Sequence, residues 1–142
     1  MRVVAARAKE LRYAVELTAA GELREDNGVA IAAPAEWTPE HLLLAALVRC
    51  SLKSLRHHAA RGQVEVRTAS GSSRTLVTKR ETDGRYAMVD TEVDLVVELE
   101  PELGPAELSE LLALAERDCF VGSSLSAAPG YSWTVNGRTI AQ

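Results

Sequence analysis

Residues 37–60, with the sequence WTPEHLLLAALVRCSLKSLRHHAA, most restrict how this chain can fold. Thr38 suits the N-cap of a helix, Pro39 its first helical position, and Gly62 the left-handed residue that ends it. A helix that is apolar on most sides needs packing partners on more than one side. The sequence therefore predicts a centrally buried helix in a homodimer. The apolar residues that cover more of it than one small sheet can cover are Leu42, Leu43, Leu44, Leu47, Val48, Leu52 and Leu55.

Alternating patterns on both sides of this helix predict strands. Residues 12–19 alternate in polarity, and the turn-forming pair Asn27-Gly28 precedes a second apolar stretch, which together predict a small two-stranded ribbon. After the helix, Asp83-Gly84 predicts the turn of a long hairpin. The segment SGSS, residues 70–73, predicts a bulge or break in its first strand. In the second strand the residues of odd number are predicted to face the core; they are Val89, Val93, Leu95, Val97 and Leu99.

The C-terminal third predicts a second helix and a closing strand. Pro105 suits the first position of a helix that ends near Cys119, and a Gly/Ser-rich link follows it. Residues 131–135 predict a final strand that Asn136-Gly137 closes. The predicted order is β-β-α-β-β-α-β, an α+β fold with a largely antiparallel sheet around the cysteine-bearing helix.

Length and charge restrict the class of protein. A chain of 142 residues predicts a single domain over 1–142. Its net charge of −4 argues against binding to nucleic acid or to an anionic membrane, which requires a basic surface. The N-terminus lacks the apolar run of a signal peptide, and no apolar segment is long enough to span a membrane. We therefore expect a cytoplasmic protein.

Cys50 and Cys119 are the two cysteines of the chain. In a reducing compartment a purely structural disulfide is not expected, so they are either inert buried thiols or a redox pair. At about 100° per residue, Cys50 shares a helix face with Leu47, whereas Arg49 lies on a basic stripe with Lys53. Arg49 is therefore predicted not to be the cation that activates Cys50.

Other side chains give weaker signals. His57 and His58 point about 100° apart on a helix and do not readily face one metal ion, and no zinc-type spacing of cysteine and histidine occurs. Ser123-Ser124 lacks the sequence context of a hydrolase nucleophile. We expect no metal and no cofactor.

Two segments resemble the OsmC/Ohr family, the osmotically inducible and organic-hydroperoxide-resistance proteins. WTPEHLLLAALVRCSLKSL resembles the family's first-cysteine helix, and ERDCFVGSSLSAAPGYSWTVNG resembles its second-cysteine region. They occur in the family's order, with about seventy residues and a long hairpin between the cysteines. The resemblance covers roughly residues 13–140.

The resemblance implies an OsmC-like fold in an intertwined homodimer and a thiol-dependent peroxidase. The substrate would be an organic hydroperoxide, with hydrogen peroxide as a second candidate. Cys50 matches the peroxidatic position and Cys119 the resolving one. Glu40 matches a glutamate that works with an arginine from the N-terminal strands, for which Arg24 is the first choice and Arg12 the second. No metal or cofactor is implied, and the electron donor would be a thiol reductant, in some members a lipoyl protein.

The chain departs from the family pattern beside each cysteine. Arg49 stands where a small residue usually precedes the first cysteine, and Phe120 stands where proline commonly follows the second. These departures indicate an OsmC-like side branch. The alternative function is a redox-silent OsmC-like dimer that binds a small apolar ligand and retains the cysteines as remnants.

Overall fold

The computed structural model describes residues 8–140, and the chain divides between Thr38 and Pro39 into two compact units. The N-terminal unit holds one antiparallel sheet of three short strands in the order β1-β2-β3. The predicted ribbon had only two strands. Three of the four residues of the extra strand are charged, so its pattern gave no strand signal. The strands are β1 (Val15–Leu17), β2 (Glu22–Glu25) and β3 (Ala30–Ala32).

The C-terminal unit combines helices with a four-stranded sheet in the order β4-β5-β6-β7. The β4–β5 and β6–β7 pairs are antiparallel, whereas β5 and β6 pair in parallel. The α+β class is confirmed. The elements are α1 (Pro39–Arg61), β4 (Glu65–Lys79), β5 (Tyr86–Glu100), α2 (Pro105–Arg117), α3 (Phe120–Ser124), β6 (Gly130–Val135) and β7 (Arg138–Ile140).

The end of the chain contains a strand that the sequence did not predict. Asn136 and Gly137 both have positive φ, 50° and 79°, as the central residues of a tight hairpin turn require. They connect β6 to β7 and do not close the sheet, so the prediction that β6 is the final strand was wrong. With β2, the short helix α3 and β7 added to the predicted elements, the order within the described residues is β-β-β-α-β-β-α-α-β-β.

The left-handed residue at the C-terminal end of α1 lies one position later than predicted. Gln63, not Gly62, takes the left-handed conformation, with φ 59°. The N–H of Val64 donates to the carbonyl of Ala59 at 2.8 Å, and the N–H of Gln63 donates to that of Ala60 at 3.1 Å. This hydrogen-bond pattern is a Schellman motif, which satisfies the last carbonyls of the helix. Val64 is buried in the core. The left-handed residue comes directly before this buried residue, and that position is Gln63.

The SGSS segment does not break β4, which runs without interruption across it; its irregularities lie near Val66 and Leu76. Gly71 permits a close approach between layers. A Cβ added there would lie 2.7 Å from Leu95 Cδ2 and 3.2 Å from Val48 Cγ1. The glycine therefore allows α1 to pack directly against the sheet.

The core of this unit lies between α1, α2 and one face of the sheet. The odd-numbered residues of β5 from Val93 to Leu99 are buried, as the alternation predicts. Arg49, Lys53 and Arg56 are exposed, which confirms the basic stripe on α1. In the described part of the chain, no helix is both long and apolar enough to cross a membrane.

Candidate active site

The fold brings together the two cysteines that the sequence separates. Cys50 lies in the middle of α1 and is partly buried, whereas Cys119 is 0% exposed. Cys119 lies between the end of α2 and the start of α3, with extended backbone (φ −74°, ψ 109°). The helix α3 that follows Cys119 packs against α1.

One turn of backbone donates to both sulfur atoms. The N–H of Val121 donates to Cys50 Sγ at 3.4 Å, and the N–H of Gly122 donates to Cys119 Sγ at 3.4 Å. The Cys119 thiol is close enough to Cys50 to influence the pKa of that thiol, and both cysteines are free. A short segment of the chain thus holds the two thiols side by side.

The environment of Cys50 opposes ionisation. Burial raises the pKa of the Cys50 thiol above its ordinary value of 9.0, the N–H groups of Val121 and Phe120 lower it, and the neighbouring Cys119 raises it again. None of these influences is a cation. Arg49 adjoins Cys50 in sequence but is exposed on a different side of α1.

Ser51 and Tyr131 complete the surroundings of Cys119, and sequence reasoning missed both. Ser51 Oγ lies 3.6 Å from Cys119 Sγ and 3.3 Å from the Tyr131 hydroxyl, and it donates to the carbonyl of Leu47 at 2.8 Å. Burial and, to a smaller degree, the neighbouring Cys119 raise the pKa of the Tyr131 hydroxyl well above the ordinary value. A Cβ added to Gly122 would lie 2.9 Å from that hydroxyl and 3.4 Å from the sulfur. Only glycine therefore fits there without displacing a neighbour.

A scaffold of larger side chains positions Tyr131. Its ring stacks on Trp133, with 6.3 Å between centroids and 11° between planes. Trp133 is fully buried, and its indole Nε1 donates to Glu116 at 3.2 Å. The alternation of β6, which places residues 131 and 133 on one face, was the only sequence signal for this pair. Tyr131 and Gly122 also line a surface cavity of about 450 Å³ to which neither cysteine contributes.

The other two predicted site residues belong to different elements of the fold. Glu40 is in the first turn of α1, about 15 Å along the helix from Cys50 at about 1.5 Å per residue. Arg24 lies in β2 of the N-terminal unit, 3.6 Å from Glu22, and Arg12 of that unit pairs with Glu10 at 3.0 Å. Their roles towards Cys50 remain predictions.

The ends of α1 and α2 are tied together beside Cys119. His58 Nε2 lies 2.7 Å from Asp118 Oδ2, and Arg117 pairs with the same carboxylate at 2.9 Å. Arg117 and, to a smaller degree, His58 lower the pKa of Asp118 to about 2. The rings of His57 and His58 are 80° apart, and no cluster of three metal-ligating side chains occurs among the described residues.

Comparison with known proteins identifies the family. The family described as OsmC-like protein matches residues 32–133, which is well over half of the chain. The chain belongs to the OsmC-like family. The resemblance seen in the two cysteine segments is thereby confirmed. No curated protein matches this chain.

Solved structures of OsmC-like proteins share the fold. An OsmC-like protein of unknown function from Vibrio cholerae is 18% identical, with a TM-score of 0.66 over 79% of this chain and 82% of that one. An OsmC-like protein from Mycoplasma pneumoniae is 15% identical, with a TM-score of 0.66 over 91% and 99%. The organic hydroperoxide resistance protein OhrB of Bacillus subtilis is 24% identical, with a TM-score of 0.53 over 88% and 96%.

Proposed function

We propose that this OsmC-like protein is a thiol-dependent peroxidase that reduces organic hydroperoxides through Cys50 and Cys119. The observation that carries the proposal is the pairing of the two thiols by one turn, in which Val121 and Gly122 donate to the two sulfurs. The name of the Bacillus subtilis structure points to the same substrate class.

The reaction requires a nucleophile and a partner thiol. The Cys50 thiolate attacks the terminal oxygen of the hydroperoxide, the O–O bond breaks, and an alcohol leaves after protonation. Cys50 then carries a sulfenic acid. The Cys119 thiol attacks that sulfur, water leaves, and a Cys50–Cys119 disulfide forms. A thiol reductant, with a dihydrolipoyl group as one candidate, returns both cysteines to thiols and closes the cycle.

The partner thiol is suited to its role by position. Cys119 is fully buried and in reach of Cys50, so the sulfenic acid can be captured without a large movement of the helix that carries it. Rapid capture protects Cys50 from irreversible oxidation to the sulfinic acid.

Trapping the intermediate tests this order of events. In Cys119→Ser, treatment with one equivalent of an organic hydroperoxide should leave a sulfenic acid on Cys50, since no thiol is available to condense with it. A sulfenic-acid-specific dione, followed by peptide mass spectrometry, should label Cys50 in this variant. The wild type should show little label because the disulfide forms first. A label on Cys119 in the Cys50→Ser variant, and none on Cys50 in Cys119→Ser, would reverse the two roles.

Activation of Cys50 requires a cation, and none is among the influences on its pKa in the described part of the chain. Because burial raises the pKa of this thiol, only about 1% or less of it is thiolate at neutral pH without further help. The rate of the peroxide step should then rise with pH as the thiol ionises. We propose that Arg24 supplies the cation and that Glu40 orients it, within one chain or across a homodimer.

The Arg24→Ala variant should raise the pKa of Cys50 by about one unit, equivalent to about 1.4 kcal/mol of lost thiolate stabilisation. The pH dependence of iodoacetamide alkylation, measured in a Cys119→Ser background, reports this pKa. Arg49→Ala is the matched control, because Arg49 is exposed on another side of α1 and should leave the profile unchanged. If Arg49→Ala shifts the profile and Arg24→Ala does not, the assignment of the cation is wrong.

A further inference from the structure

We propose that Ser51 and Tyr131 are positioning residues that make Cys119 the leaving group when the disulfide is reduced, so that the reductant attacks Cys50. This inference rests on the proposed function for its place in the cycle. It concerns the reduction of the Cys50–Cys119 disulfide. Neither the cysteine pattern nor the family assignment tells which of the two sulfurs the reductant attacks.

Hydrogen-bond donors surround Cys119. The N–H of Gly122 is fixed at 3.4 Å from the sulfur, and the hydroxyl of Ser51 lies at 3.6 Å. The Tyr131 hydroxyl lies 3.3 Å from Ser51 Oγ and neighbours the same sulfur. Hydrogen bonds to an ionised acceptor are stronger than those between neutral groups. These donors therefore stabilise a thiolate on Cys119 relative to the same buried position without them, and so offset the cost of burying that charge.

The two hydroxyls can respond to the charge of the sulfur. A hydroxyl has one hydrogen and rotates it towards the best acceptor. In the reduced protein Ser51 donates to the carbonyl of Leu47 at 2.8 Å. When a thiolate appears on Cys119, the same hydrogen can turn to the sulfur. Because its pKa is raised by burial, Tyr131 keeps its proton and can donate it too.

The two cysteines also differ in their exposure. Cys119 is 0% exposed, whereas Cys50 is only partly buried. Exchange between a thiolate and a disulfide depends on which sulfur can be reached and on how readily the other one leaves. Both conditions favour attack at Cys50.

Reduction of the disulfide takes two successive thiol–disulfide exchanges. A thiolate of a dithiol reductant attacks Cys50 Sγ, a bond forms between these two sulfurs, and the Cys50–Cys119 bond breaks with its electron pair on Cys119 Sγ. The second thiol of the reductant, after losing its proton to solvent, attacks the reductant's own sulfur in the mixed disulfide. Cys50 leaves as a thiolate, the reductant departs as a cyclic disulfide, and Cys119 takes up a proton.

Trapping the mixed disulfide locates the attack. The disulfide is first formed with diamide, which needs no peroxidase activity, and is then exposed briefly to glutathione before acid quenching. Peptide mass spectrometry should find the glutathione adduct on Cys50. An adduct on Cys119, reached by way of the cavity beside Tyr131, overturns the inference, as does failure of diamide to join the two cysteines. If hydroperoxide does not oxidise the thiols but the diamide-treated protein gives the Cys50 adduct, only the proposed function fails.

Two variants test the positioning role. Tyr131→Phe and Ser51→Ala should each slow reduction of the diamide-formed disulfide by dithiothreitol about tenfold, the scale of one lost charge-assisted hydrogen bond. The matched controls are Tyr86→Phe, which alters an exposed tyrosine, and Ser54→Ala, which removes a buried α1 hydroxyl that has no hydrogen-bond partner among the described residues. In both control variants the disulfide should be reduced at the wild-type rate.

A second readout separates positioning from loosened packing. Loosened packing would expose Cys50 and increase its alkylation by iodoacetamide in the reduced protein. Loss of the donors to Cys119 should slow disulfide reduction. It should change the rate of Cys50 alkylation by less than about twofold. Unchanged reduction rates in both variants, or faster alkylation together with slower reduction, contradict the role given to Ser51 and Tyr131.

Discussion

Replacing Cys50 by serine should lower the rate of organic hydroperoxide reduction by about a thousandfold or more, the scale seen when a covalent enzyme loses its nucleophile. Serine preserves the size of the side chain on α1 but supplies a hydroxyl, which is a far weaker nucleophile than a thiolate. Consumption of a bulky organic hydroperoxide, followed with dithiothreitol as the electron donor, measures the loss.

The control for this experiment is Cys119→Ser, which removes the other thiol of the pair. It should retain the first turnover and lose sustained activity, because the sulfenic acid on Cys50 still forms but is not captured within the protein. Substantial activity in Cys50→Ser would show that the nucleophile lies elsewhere, and a loss of the first turnover in Cys119→Ser would exchange the roles of the cysteines.

The Trp133→Ala variant should lose about 3–5 kcal/mol of unfolding free energy. Trp133 is the largest fully buried side chain among the described residues, it stacks on Tyr131, and its indole donates to Glu116. Its removal leaves a cavity in the layer that supports the site, and Glu116 loses a donor. Urea denaturation followed by circular dichroism measures the change in free energy.

Two further variants make this result specific. Trp133→Phe fills most of the volume and should cost clearly less than the alanine variant. Leu76→Ala removes an apolar side chain that is 56% exposed and should change stability by about 0.5 kcal/mol or less. If Trp133→Ala is no more damaging than Leu76→Ala, Trp133 does not contribute to the core as its burial indicates.

Elements with a strong local signal could be predicted from the sequence. The alternation in β5 fixed its buried face, and Pro39 marked the first residue of α1. Pro105 likewise marked the first residue of α2. In each case one residue type has a direct steric or solvation consequence that the rest of the fold does not override.

Elements held mainly by pairing with a neighbour could not be predicted. β2 has a single apolar residue, Leu23, and exists as the central strand between β1 and β3. β7 has three residues, and its pairing with β6 follows from the turn at Asn136-Gly137. Gln63 took the left-handed position expected of Gly62 because the burial of Val64 set the place of the reversal.

The candidate site divides in the same way. Cys50 and Cys119 were nominated from their residue type and from family resemblance, and the fold brings them together. Ser51 and Tyr131 lie about eighty residues apart and belong to common residue types, so only the folded structure reveals that they meet beside one sulfur. The single-domain prediction for residues 1–142 and the homodimer remain predictions.

A single turnover without reductant tests the central claim most directly. The reduced protein is mixed with one equivalent of an organic hydroperoxide; the alcohol is measured by chromatography and the protein by intact and peptide mass spectrometry. The proposed function predicts one alcohol per chain, the loss of two hydrogens in mass, and a Cys50–Cys119 linked peptide. Formation of no alcohol, with both thiols still free under excess hydroperoxide, would contradict it and favour a redox-silent protein that binds a small apolar ligand.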